Sequence, residues 1–156
     1  MSSRVGERRR AREFTLQVLF QLDLAPQDPD TALEAFWAGK QVSDAVRGFT
    51  EVLVRGTMLK RDLIDGILAS TSHNWRVSRM PVVDRNVLRM ASYEFLFETE
   101  TPKVVIIDEA IEIAKRFSNE AAGLFVNGVL DAVRLRIEND ELLLPDDAPS
   151  GTGSAA

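Results

Sequence analysis

Apolar positions along this chain recur every three to four residues, and no stretch of useful length alternates with period two, so the pattern predicts an all-α protein. The first helix is expected from Arg8 to Leu24, with Ala11, Thr15, Val18 and Leu22 on one stripe, Leu16 and Phe20 beside it, and Pro26 beyond its end. In Asp28-Pro29-Asp30-Thr31, Asp and Thr offer caps, proline suits a first helical turn and Thr31 with Glu34 has capping-box spacing. A short second helix bearing Leu33, Phe36 and Trp37 follows, closed by Gly39.

Val46, Phe49, Leu53, Gly56, Leu63 and Ile67 form a longer ladder, readable as one bent helix or two abutting ones. Gly56 lies on its apolar stripe, where a glycine costs about 1 kcal/mol relative to alanine. Two readings stay open there: close backbone packing or a bend near Gly56-Thr57 on the one hand, a merely tolerated glycine on the other. Residues 70–81 form the main break, placing a subdomain boundary there within one domain over residues 1–144. Pro81 then opens a helix lined by Val87, Leu88, Ala91 and Phe95, and Pro102 another lined by Ile106, Ala110, Ile113, Ala114 and Phe117. The last helix starts near Asn119 or Ala121, and its apolar period runs unbroken through Asn127-Gly128, a dipeptide that would otherwise signal a hairpin turn. Residues 145–156 contain nothing to bury and are expected to be disordered.

Charge changes this picture. Residues 1–12 sum to +4 through Arg4, Arg8, Arg9, Arg10 and Arg12 against Glu7, so the −5 of the whole chain leaves −9 on the remainder. That asymmetry separates a polyanion-seeking arm from an acidic scaffold. Arg8 and Arg12 are four apart on a helix with Arg9 adjoining, and guanidinium groups grip phosphates and stack on unpaired bases, which points to RNA. A solvated basic terminus and an anionic membrane surface remain as rival readings.

Catalytic chemistry finds little footing. The absence of cysteine removes thiolate zinc sites and cysteine nucleophiles, and His73 is the one histidine, within a polar break. Asp108, Glu109 and Glu112 cannot complete a Glu-x-x-His metal set with a single histidine, and no phosphate-binding glycine loop occurs, so no metal, no cofactor and no enzyme activity are expected. No apolar run approaches the ~18–20 residues of a membrane span, and a soluble, cytoplasmic protein is expected. Phe20, Tyr93, Phe97 and Phe125 fall on or beside apolar stripes, open to reading as core residues or as anchors for a partner protein.

Three stretches taken together resemble the NusB family of bacterial transcription antitermination factors. They are Arg8-Arg9-Arg10-Ala11-Arg12-Glu13 leading into Gln17-Val18-Leu19-Phe20; Met80-Pro81-Val82-Val83-Asp84-Arg85-Asn86-Val87-Leu88-Arg89-Met90-Ala91-Ser92-Tyr93-Glu94; and residues 103–117 followed by Phe125-Val126-Asn127-Gly128. The resemblance implies two perpendicular three-helix bundles and a non-catalytic role: binding the single-stranded boxA element of nascent RNA as a heterodimer with NusE, a small-subunit ribosomal protein. That pair would join RNA polymerase and other Nus factors, notably on ribosomal RNA operons. By position, Arg8, Arg9, Arg10 and Arg12, with Arg4 beside them, would contact RNA, while Phe20, Asp84 and Phe125 would meet NusE or support the RNA surface. Phe20 replaces a tyrosine of some members, and Ala121 stands where a well-known form has an acidic partner-facing residue. A similar helical module begins certain ribosomal RNA cytosine methyltransferases, and some family members self-associate as homodimers. Both remain alternatives.

Overall fold

The computed structural model describes residues 3–73 and 75–142, so the expected tail over 145–156 lies outside the described residues. Among the described residues there are seven α-helices and no strand: α1 (Arg4–Leu24), α2 (Pro29–Trp37), α3 (Asp44–Leu59), α4 (Arg61–Thr71), α5 (Val82–Phe97), α6 (Lys103–Phe117) and α7 (Glu120–Glu138). A short 3-10 turn, Val77–Arg79, interrupts the loop between α4 and α5.

Caps explain most boundaries. The Ser3 hydroxyl accepts from the Gly6 amide at 3.0 Å, so α1 begins four residues before the expected Arg8 and takes the whole arginine cluster into regular helix. Asp28, not Thr31, caps α2: its carboxylate accepts from the Thr31 amide at 3.0 Å and hydroxyl at 3.2 Å, with Pro29 in the first turn. Ser43 caps α3 and Asn119 caps α7 in the same manner, by accepting from Val46 and Ala122 amides. Pro81 and Pro102 stand at the cap positions of α5 and α6. Asn127-Gly128 is helical within α7, where packing of Val126, Val129, Leu130 and Val133 overrides the turn preference of the dipeptide.

α1 serves two cores. Its Leu16 and Leu19 join a large core with Leu53 of α3, Ile64 and Leu68 of α4, Leu88 of α5, Ile113 of α6 and Leu130 of α7. Its Val18 and Leu22 face a smaller core with Leu33, Phe36 and Trp37 of α2 and Val54 of α3. Each large apolar side chain so buried contributes about 1.5–3 kcal/mol, enough to hold the nine-residue α2 that could not persist alone. Phe14, Phe36 and Trp37 add mutual edge-to-face contacts with ring centroids 5.2–5.7 Å apart.

The long apolar ladder resolves into two helices meeting at Lys60, not into a bend at Gly56-Thr57. Gly56 instead answers to packing: a Cβ there would lie 2.1 Å from Cζ and 2.2 Å from the hydroxyl of Tyr93 on α5. Gly56→Ala is therefore expected to lower stability by about 1–2 kcal/mol despite its better helix propensity. In a Tyr93→Ala background the same change should raise stability instead. Thermal melting of the four proteins of this cycle checks it, and a stabilising Gly56→Ala in the Tyr93 protein would refute the packing argument.

Candidate nucleic-acid interface

The amino-terminal half of α1 packs against α3 and α5 and reaches α6 through side chains, and that docking sorts its arginines. Arg12 points inward along the line of Leu16 and Leu19, is 3% exposed, and donates from Nε and Nη2 to both oxygens of Glu94 on α5 at 2.7 and 2.8 Å. Glu94 is buried as deeply, so this bidentate pair is a core element. The expectation that Arg12 belongs to an exposed basic arm is thereby corrected: its guanidinium is almost wholly shielded from solvent, and Glu94 of α5 supplies the buried counter-charge that makes this tolerable. Helical spacing from Arg12 to Leu16 and Leu19, and Glu94 flanked by Ala91 and Phe95, were the signals available in the sequence.

The remaining arginines of α1 lie at or near the surface, and Arg8, Arg9 and Arg10 each meet a neighbouring side chain. Arg9 is half exposed, yet its Nε donates to Glu109 at 2.9 Å and its Nη2 to the other carboxylate oxygen at 3.2 Å. Hydrogen bonding and the charge of Glu109 raise the Arg9 pKa, against a small opposing effect of burial. Arg8 lies with its guanidinium carbon 3.8 Å from the centre of the Phe49 ring, and Glu100 approaches it at 3.8 Å. Arg10 lies 5.0 Å from the Phe14 ring centre, and Arg4 is exposed one turn before Arg8. On α6, Arg116 reaches Glu13 at 2.5 Å. Arg8 over Phe49 of α3, Arg9 on Glu109 of α6 and Arg10 beside Phe14 thus ring the start of α1 with planar cations, a chemistry suited to phosphates and unstacked bases.

The acidic trio of α6 divides accordingly. Glu109 is buried against Arg9, whereas Asp108 and Glu112 are exposed, Glu112 near Lys115 at 3.7 Å. Among the described residues no cluster of three or more potential metal ligands occurs, and His73 is exposed.

The residues expected at a protein partner fall in two places. Asp84, in the first turn of α5, and Phe125 of α7 line one recess with Trp75, Ser118 and Ala121, while Phe20 is half buried on α1 and not among the residues lining that recess. Asp84 is 5% exposed and its Oδ1 has no hydrogen-bond partner among the described residues; burial raises its pKa, opposed by hydrogen bonding to Ser118 and the backbone. Trp75, half exposed with its ring 5.7 Å from Phe125, was not anticipated. Nor was the network at the far end of α1, where Asp23 accepts from Arg85 at 2.7 Å, Asn86 at 2.8 Å and Arg89 at 3.1 Å, while Arg89 also donates to Asp65 at 2.8 and 3.0 Å.

No helix among the described residues is long and apolar enough to cross a membrane. Among proteins of known sequence, this chain is 42% identical over 133 residues to the transcription antitermination protein NusB of Desulforapulum autotrophicum, a match covering 84% of this chain and 93% of that protein. The solved structure of T. maritima NusB superposes with a TM-score of 0.78 at 36% identity, covering 91% of this chain and all of the other. A NusB solved with NusE and double-stranded RNA gives 0.74 at 26% identity, covering 83% of this chain and 96% of that one. With the NusB family model matching residues 9–134, across both cores and the arginine-bearing helix, the chain belongs to the NusB family.

Proposed function

We propose that this protein is a cytoplasmic, non-catalytic transcription antitermination factor that binds boxA-type single-stranded RNA together with NusE. In this reading the pair acts on RNA polymerase with other Nus factors, notably on ribosomal RNA operons. The observation that carries the proposal is the cluster of guanidinium groups in the first turns of α1, with Arg8 braced by Phe49 and Arg9 by Glu109, on a scaffold whose remaining charge is negative. Family membership supports it, as does the relative solved with NusE and RNA. The RNA-contacting set becomes Arg4, Arg8, Arg9 and Arg10, with Arg12 beneath them as support. Asp84 and Phe125, sharing one recess, are the proposed NusE contacts, with Phe20 at a separate point on α1.

A titration of labelled boxA-like RNA, with and without NusE, tests the proposal. Arg8→Ala combined with Arg9→Ala should weaken binding by about ten- to a hundredfold and flatten its salt dependence by about two phosphate contacts. Arg9→Ala also leaves the buried Glu109 without its partner, so the double variant should melt several degrees below the parent, and affinities are compared at a temperature where both proteins are fully folded. Equal affinity of the double variant and the parent at moderate salt would remove Arg8 and Arg9 from the RNA site.

A further inference from the structure

We infer that Glu109 is a positioning residue for RNA binding, holding Arg9 by one edge of its guanidinium so that the adjoining edge faces a phosphate. The inference rests on the RNA-binding reading above and assigns a role to a carboxylate that would otherwise count against it. Glu109 is on the buried face of α6 with Ile106, Ala110 and Ile113, and its side chain is only 7% exposed, whereas Arg9 is 52% exposed. Burying a carboxylate to hold a half-exposed arginine is costly, and a merely solubilising arginine needs no such partner. Two of the five N–H donors of Arg9, at Nε and Nη2, go to Glu109. The remaining donors, at Nη1 and Nη2, form the second edge of the fork, the one that matches a phosphate in bidentate fashion.

Glu94 grips Arg12 in the same side-on way, but that arginine is buried and has no edge to offer, and the carboxylates near Arg8 and Arg10 make no such pair with them. Glu100 is 78% exposed and only approaches Arg8, at 3.8 Å, while Glu13 is engaged by Arg116. Holding Arg9 in advance means that the rotamer freedom of a long side chain is already lost in the free protein, so binding does not lose it again. The electrostatic consequence of Glu109 alone has the opposite sign. Removing one negative charge from beside a phosphate site should tighten binding if charge alone governs, and weaken it if orientation governs.

That difference of sign is the test. Binding of a labelled, boxA-like single-stranded RNA to the full chain with NusE is measured for the parent, Glu109→Gln, Arg9→Ala and the double variant across a salt series. Glu109→Gln keeps the size of the side chain but cannot accept both guanidinium hydrogen bonds. It is expected to weaken binding about tenfold and to reduce the salt slope by about 0.7, the value for one phosphate on a single strand. In the Arg9→Ala background it should change nothing further. Affinity equal to or tighter than the parent, or an additive loss in the double variant, overturns the inference. Should Glu109→Gln melt far below the parent, Glu109→Asp, which keeps the charge but shortens its reach, is read by the same criteria. A parent protein that does not bind this RNA refutes the RNA-binding reading itself, a result distinct from parent binding that is indifferent to Glu109.

Discussion

Arg12→Ala is expected to destabilise the protein by about 3–5 kcal/mol, because it strands the Glu94 carboxylate in the core without its partner. Against a total stability of about 5–15 kcal/mol this is a large fraction. A chain of this size should lose roughly 10–15 °C of melting temperature. RNA binding would fall as well, but only as far as the folded fraction falls. The decisive comparison is Arg12→Leu combined with Glu94→Met, which removes both charges and keeps apolar volume. Such replacements of buried pairs are commonly neutral or stabilising. The double variant should melt near the parent and bind RNA as the parent does. Near-parent melting with lost RNA binding would return Arg12 to the contact surface, contrary to its 3% exposure.

Asp23→Ala should cost about 2–4 kcal/mol, since one carboxylate there satisfies Arg85, Asn86 and Arg89 at once. Asp65 still pairs with Arg89, which keeps the loss below that of a fully stranded charge. The site also has a pH signature. Burial pushes the Asp23 carboxyl up, but hydrogen bonds from Arg85 and Asn86 and the charges of Arg85 and Arg89 outweigh it, so it titrates below the usual carboxylate range. An acid with a folded pKa below its unfolded value stabilises above the unfolded value, about 3.9, and that contribution is lost as pH falls through the folded pKa. The parent should therefore lose stability more steeply below about pH 4 than Asp23→Ala does. Denaturant unfolding of both proteins between neutral and acid pH measures this, and parallel acid limbs would show that Asp23 is not the linked group.

Both predictions concern residues whose type was visible in the sequence but whose environment was not. Arginines at positions 8, 9, 10 and 12 are equivalent as composition, and helical period separates them only by angle around α1. What distinguishes Arg12 from Arg9 is the depth at which α5 and α6 meet that helix, and which carboxylate each meets. The partner of Arg12 is 82 residues away in the chain and that of Arg9 is 100 residues away. Asp84 and Phe125 are likewise 41 residues apart in sequence, and only the packing of α5 on α7 makes them walls of one recess. Trp75 was hidden because it falls in a loop without periodicity.

The helices themselves, their approximate ends and their inward faces followed from local rules: a 3.6-residue apolar period, prolines at helix starts, and short polar caps that satisfy free amides. The basic character of the first helix and the lack of metal-ligand or nucleophile combinations could also be read directly from residue types. Tertiary structure decided the rest. It closed the space over Gly56 with Tyr93, kept Asn127-Gly128 helical, divided the long ladder at Lys60, and chose which arginine is core and which remains at the surface. The physical reason is that a helix's sequence specifies the direction in which each side chain projects, while burial, counter-charge and free volume at that point belong to whatever distant helix packs against it.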